Sequence, residues 1–166
     1  ASGRTIFKEP NESRNHTEKM LSSLGANIQS KTLKDGSYKV ELEGNPVLRS
    51  GNIRVPCDPS SAAFLVVAAV ICPESKIELK NIMINKGRNG LFETLKEMGA
   101  KINIFNKKNN GGEETASIIS EYSQLKGINV PSQRVPSMID EYPILSIAAS
   151  CAEGKTVMDG ISELRV

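Results

Sequence analysis

Two adjacent acids, Asp140 and Glu141, open the apolar run that extends from Pro143 to Ala152 in PSMIDEYPILSIAASCAEG. Asp140 reads as a helix N-cap, with Pro143 tolerated in the first turn because its missing N–H has no helical acceptor. A carboxylate at that position can also orient a bound hydroxyl and take its proton as the oxygen attacks. Both readings stand on the residues alone, and Glu141 beside it suits the positive end of the helix dipole. In SRNHTEKML, Ser13 and Arg14 lie just ahead of a helix start, where unpaired N–H groups favour an anion. A guanidinium there can grip a phosphate in two-pronged fashion, or simply be solvated.

The remaining reactive residue types are weaker. Asn15 followed by Glu18 makes a capping-box pattern. His16 is the sole histidine and lacks metal-binding partners at useful spacing, which favours a cap or surface role; no metal site is predicted. In VPCDPSSAAF, Asp58 is placed as N-cap and Pro59 as first helical residue. Cys57 beside that start is a lone thiol with no base in the motif, and GRNG at Gly87–Gly90 reads as a turn.

These residues sit on a recurring framework. HTEKMLSSLGANI and GLFETLKEMGAKI each spell an amphipathic helix ending in Gly-Ala, with Gly25 and Gly99 as left-handed C-terminal caps. GNIRVPCDPSSAAFLVVAAVICPESKIELKNI is echoed by KGINVPSQRVPSMIDEYPILSIAASCAEGKTVMDGI, as strand, apolar helix and strand. The spacing of Ile53 from Ile128, and of Gly25 from Gly99, gives a period near 75 residues. Each period predicts a small α/β unit: strand, helix, strand, helix, then a strand pair. In the first copy that pair is NIQSKTL and SYKVELE around Asp35-Gly36, a hairpin signal. The helix over AAFLVVAAVIC is apolar on nearly every side and demands cover all round.

The composition excludes several classes. A net charge of +2 with only 4% aromatic residues lacks the interleaved cations and rings of a single-strand nucleic-acid binder. Three widely spaced cysteines give neither a zinc knuckle nor a disulfide framework, which points to a reducing, cytosolic compartment. No secretory leader pattern opens the sequence, and the longest apolar run is about half of a membrane span. The period has a further implication. Arg4–Phe7 reads as a strand without its preceding strand and helix, and GKTVMDGISELRV reaches Val166 where the next amphipathic helix is due. The chain therefore reads as an excerpt cut mid-unit at both ends.

Taken in order, SRNHTEKMLSSLGA, VPCDPSSAAF, GLFETLKEMGA, PSMIDEYPILSIAASCAEG and GISELRV resemble the 5-enolpyruvylshikimate-3-phosphate synthases, or 3-phosphoshikimate 1-carboxyvinyltransferases. The likeness covers essentially the whole chain and is strongest to the bacterial class with naturally low glyphosate sensitivity. It implies two domains, each of three βαβαββ units with inward apolar helices, an inside-out barrel. Residues 1–52 would be the last unit of the first (lower) domain, and 53–166 part of the second (upper) domain, as units 53–127 and 128–166 with the latter truncated. The resemblance implies transfer of the enolpyruvyl group of phosphoenolpyruvate to the 5-hydroxyl of shikimate 3-phosphate, by addition and elimination, without metal or organic cofactor. It implies that Asp140 contacts the shikimate hydroxyls and accepts a proton, and that Ser13 and Arg14 lie against shikimate 3-phosphate. Asn15 replaces the family's usual Asp, and Cys57 its usual glycine. The family's phosphoenolpyruvate-binding residues fall outside 1–166, so the piece alone is expected to be inactive and to need the rest of its own chain as partner. Two alternatives remain: the related transferase acting on UDP-N-acetylglucosamine, whose usual Cys-bearing loop is not evident here, and a repeat scaffold without chemistry.

Overall fold

The computed structural model describes residues 2–165; Ala1 and Val166, the last residue of the Leu-Arg-Val stretch, lie outside it. The chain packs as two compact units, one of residues 1–55 with Asn109–Glu113, the other of Pro56–Lys108 with Glu114–Val166.

In the first unit, strand β1 (Arg4–Glu9) leads through an irregular segment to helix α1 (His16–Ser23), then to β2 (Ile28–Thr32) and β3 (Tyr38–Glu43). The sheet order is β1-β3-β2, antiparallel throughout, with Phe7 opposite Val40 and Ile28 opposite Leu42. The hairpin turns at Asp35-Gly36 as its sequence predicts: Gly36 has a φ of 83°, and the Asp35 carboxylate accepts from the Ser37 N–H at 3.0 Å and from Lys8 Nζ at 3.0 Å. Hydrogen bonds from the Ser37 hydroxyl and then Lys8 hold the Asp35 carboxyl far below the usual carboxylate range. Its core is slight, with Ala26 and Tyr38 as buried hydrophobic residues and none buried on α1.

The second unit carries the larger core. Helix α2 (Pro59–Ile71) runs into β4 (Lys76–Met83), then α3 (Gly90–Glu97) and the hairpin β5 (Lys101–Asn110) and β6 (Glu113–Glu121). The sheet order is β4-β6-β5. A second strand–helix–strand passage follows, from β7 (Asn129–Val130) through α4 (Tyr142–Ser150) to β8 (Val157–Met158), with β7 and β8 parallel. The expected strand around IRVP is reduced to one parallel bridge, Cys57 to Ile82, so α2 still connects two parallel segments as α4 does. Gly127 lets the last passage close: a Cβ there would lie 2.4 Å from the Lys155 carbonyl atoms.

The core beneath these elements centres on Val66, Val70, Leu95, Met98, Ile118, Met138 and Leu145, all fully buried. Each such side chain contributes about 1.5–3 kcal/mol on leaving water. Helix α2 packs against α4 and β4. The all-round cover predicted for it is not complete among the described residues. Phe64 and Leu65 on α2 are 61% and 54% exposed, and Ile147 on α4 is 50% exposed.

Candidate active site

Asp140 is exposed on a single 3-10 turn, Ile139–Glu141, immediately ahead of α4. It is not the cap of that helix. Helix α4 begins at Tyr142, so Glu141 occupies the N-cap position, and its side chain makes no capping hydrogen bond. The physical reason lies in α2. Glu141 is only 3% exposed, and its Oε1 accepts a hydrogen bond from Ser60 Oγ, which draws the side chain inward and away from the helix end.

The turn is held from both sides. Before it, Arg134 donates to both Glu97 carboxylate oxygens at 2.8 and 2.6 Å and to Thr94 Oγ1 at 3.0 Å. That fork lowers the Glu97 carboxyl below its ordinary range and raises Arg134 above its own. Met138 is fully buried, and its Sδ lies 3.4 Å from Thr94 Oγ1. Gly90 makes this approach possible, since a Cβ on it would meet Ser137 Oγ at 2.4 Å and Met138 Cβ at 2.8 Å. After the turn, Tyr142 is buried, and that burial pushes its phenol upward.

The start of α2 matches its sequence reading. Asp58 accepts from the N–H groups of Ser60 at 3.2 Å and Ser61 at 2.9 Å, with Pro59 in the first turn. Burial pushes the Asp58 carboxyl up, but hydrogen bonds from Ser61 and Ser60 and the charge of Arg88 outweigh it, leaving it below the usual range. Arg88 Nη2 bonds Asp58 Oδ1 at 3.0 Å and Ser60 Oγ at 2.6 Å. The GRNG turn is thus the source of a working guanidinium: a short 3-10 stretch, Lys86–Arg88, aims it at the α2 entrance. Sequence reasoning missed Arg88, Ser60 and Glu141 as a set. The available signal was an arginine between glycines just ahead of a helix. Cys57 is exposed and joins the fold through its backbone.

In the first unit, Ser13 and Arg14 adjoin on the exposed irregular segment before α1, and Ser13 Oγ donates to Glu9 Oε2 at 3.0 Å. The capping box does not form, because the Asn15 side chain makes no cap hydrogen bond. His16 Nδ1 instead lies 2.6 Å from Glu113 Oε1, with Lys19 Nζ 3.5 Å from the other oxygen. Glu113 is buried and 97 positions away in sequence, so no local pattern announces it. Ser13 and Arg14 therefore belong to one unit and Asp140 to the other.

Residues 1–166 match the family model described as EPSP synthase (3-phosphoshikimate 1-carboxyvinyltransferase). The chain is 52% identical over 164 residues to the 3-phosphoshikimate 1-carboxyvinyltransferase of Chelativorans sp. (strain BNC1), covering 99% of this chain and 36% of that protein. It is 51% identical to the protein of the same name from Bartonella quintana (strain Toulouse), again over 99% of this chain and 37% of the relative. A solved structure of an EPSP synthase from Acinetobacter baumannii superposes with a TM-score of 0.91 at 45% identity, covering all of this chain and 36% of that one. The chain thus spans little more than a third of the length of these relatives. With a full-length family match and repeated α/β units that superpose on a solved member, this chain belongs to the EPSP synthase family.

Proposed function

We propose that this chain is the central part of a transferase that moves the enolpyruvyl group of phosphoenolpyruvate onto the 5-hydroxyl of shikimate 3-phosphate, releasing phosphate. The observation that carries the reading is the family match over every residue, with Asp140 exposed on a braced turn at the entrance to α4. The hydroxyl oxygen adds to the enol carbon that bears the phosphate ester while the neighbouring methylene carbon gains a proton, and the tetrahedral intermediate collapses with loss of phosphate and of a proton from that carbon, restoring the double bond. Asp140 orients the hydroxyl and takes its proton, work that suits an exposed carboxylate on a fixed turn. Ser13 and Arg14 bind shikimate 3-phosphate, Arg14 through charge-assisted hydrogen bonds.

In this reading residues 1–52 are the last unit of the first domain and 53–166 are part of the second, as units 53–127 and 128–166, the latter truncated. The remainder of the chain is the partner that covers Phe64, Leu65 and Ile147, and it carries the phosphoenolpyruvate site. No helix of the described residues is long and apolar enough to cross a membrane, and we place the enzyme in the cytoplasm, with the aromatic biosynthetic pathway of its relatives. The test is product analysis with the full-length protein and phosphoenolpyruvate, offering shikimate 3-phosphate or UDP-N-acetylglucosamine as acceptor. Phosphate release and a carboxyvinyl ether only with the first is the expected result, and the isolated 166-residue chain should turn over neither. Product with UDP-N-acetylglucosamine alone overturns the substrate assignment, and product with neither acceptor favours a scaffold.

A further inference from the structure

The buried carboxylate of Glu141 performs no capping and does not face solvent, yet it sits next to the residue assigned to chemistry. An interior carboxylate is costly unless something holds it. Here the holder is a chain of hydrogen bonds with only one possible direction. A guanidinium can only donate and a carboxylate oxygen accepts, so Ser60 Oγ accepts from Arg88 at 2.6 Å and turns its single proton to Glu141 Oε1. Ser60 is itself fixed, because Asp58 caps the N–H of the same residue and accepts a second bond from the same Arg88 nitrogen. On the other side of the 3-10 turn, Met138 is fully buried against the gap left by Gly90. Both ends of the turn are pinned, and Asp140 between them is exposed.

The geometry points to Ser60 as a positioning residue for Asp140: the Arg88–Ser60–Glu141 chain sets the turn that aims the Asp140 carboxylate at a substrate hydroxyl. This rests on the assignment of Asp140 above and deepens it. A merely structural Ser60 would matter equally whether or not Asp140 is present. A positioning Ser60 matters only through Asp140.

The experiment is a double-mutant cycle in the full-length protein, reading the Kd of shikimate 3-phosphate by calorimetry. Ser60→Ala should weaken binding by about fivefold beside Asp140, and by less than about 1.5-fold in the Asp140→Ala background. Ser60→Thr, which keeps the hydroxyl, should return affinity to within about twofold of the parent. The same loss in both backgrounds, or none beside Asp140, overturns the proposal. Should Ser60→Ala fail to fold, Arg88→Met removes the orienting donor and is judged by the same dependence on Asp140. The two levels separate cleanly. If Asp140→Ala leaves affinity and turnover intact, the active-site assignment falls; if Asp140→Ala is damaging and Ser60→Ala is neutral, only the positioning role falls.

Discussion

Helices α1 and α3 are spelled alike and end alike, yet one lies on the surface of its unit and the other inside. At the end of α1 the Gly25 N–H bonds the Ser22 carbonyl at 3.0 Å and the Ala26 N–H bonds Leu21 at 3.0 Å. At the end of α3 the Gly99 N–H bonds Lys96 at 3.0 Å and the Ala100 N–H bonds Leu95 at 2.9 Å, with φ of 95° and 96° at the two glycines. This is the same Schellman stop written twice. Burial does not follow it. Helix α1 has no buried residue, whereas five of the eight residues of α3 are buried. The helix ends are decided by a few neighbouring residues; the depth of each helix is decided by what the rest of the chain brings to it.

The largest test of that contrast is truncation at the matched positions. Leu95→Ala should cost about 2–5 kcal/mol, because Leu95 is fully buried in the second core, and Leu21→Ala about 1 kcal/mol or less. Urea denaturation of the two variants measures both; similar losses would erase the distinction between the units.

Next in size is the entrance to α2, where a side chain does cap, against that of α1, where Asn15 does not. Asp58→Ala should cost about 0.5–2 kcal/mol at neutral pH. The Asp58 carboxyl is lower in the fold than in the unfolded chain, so its contribution is complete above the ordinary carboxylate range. It fades as pH falls through the folded value, and the stability gap between parent and variant should therefore narrow below about pH 4. A gap that widens with acidification would reverse the sign of this linkage.

An effect of comparable size sharpens the likeness rather than the contrast. Gly25→Ala and Gly99→Ala each force an L-residue into the left-handed region, at about 1–2 kcal/mol apiece. Near-equal losses in thermal or urea unfolding show that the stop is local; a large loss at Gly99 alone would tie it to the core.

The sequence was legible wherever the deciding chemistry lay within a few residues. Asp35-Gly36 turned the hairpin, Asp58-Pro59 opened α2, and both glycine stops formed, each from contacts five or fewer positions apart. It misled where two adjacent residues could do the same work. Asp140 and Glu141 can both cap a helix, and the choice of start depends on Ser60, 81 positions earlier, taking the Glu141 side chain. The capping box at Asn15–Glu18 fails in the same region where His16 meets Glu113 across 97 positions. The period near 75 residues carried the repeated α/β architecture, because units of one length must bury faces of one kind. It could not say which faces of α2 the described elements would leave bare.

The central claim concerns one carboxylate. Asp140→Asn in the full-length protein keeps the size of the side chain and removes its ability to take a proton. Steady-state turnover of shikimate 3-phosphate and phosphoenolpyruvate should fall by about 100-fold or more, with the variant as stable as its parent. Turnover within about twofold of the parent would contradict the account, for no general base contributes so little.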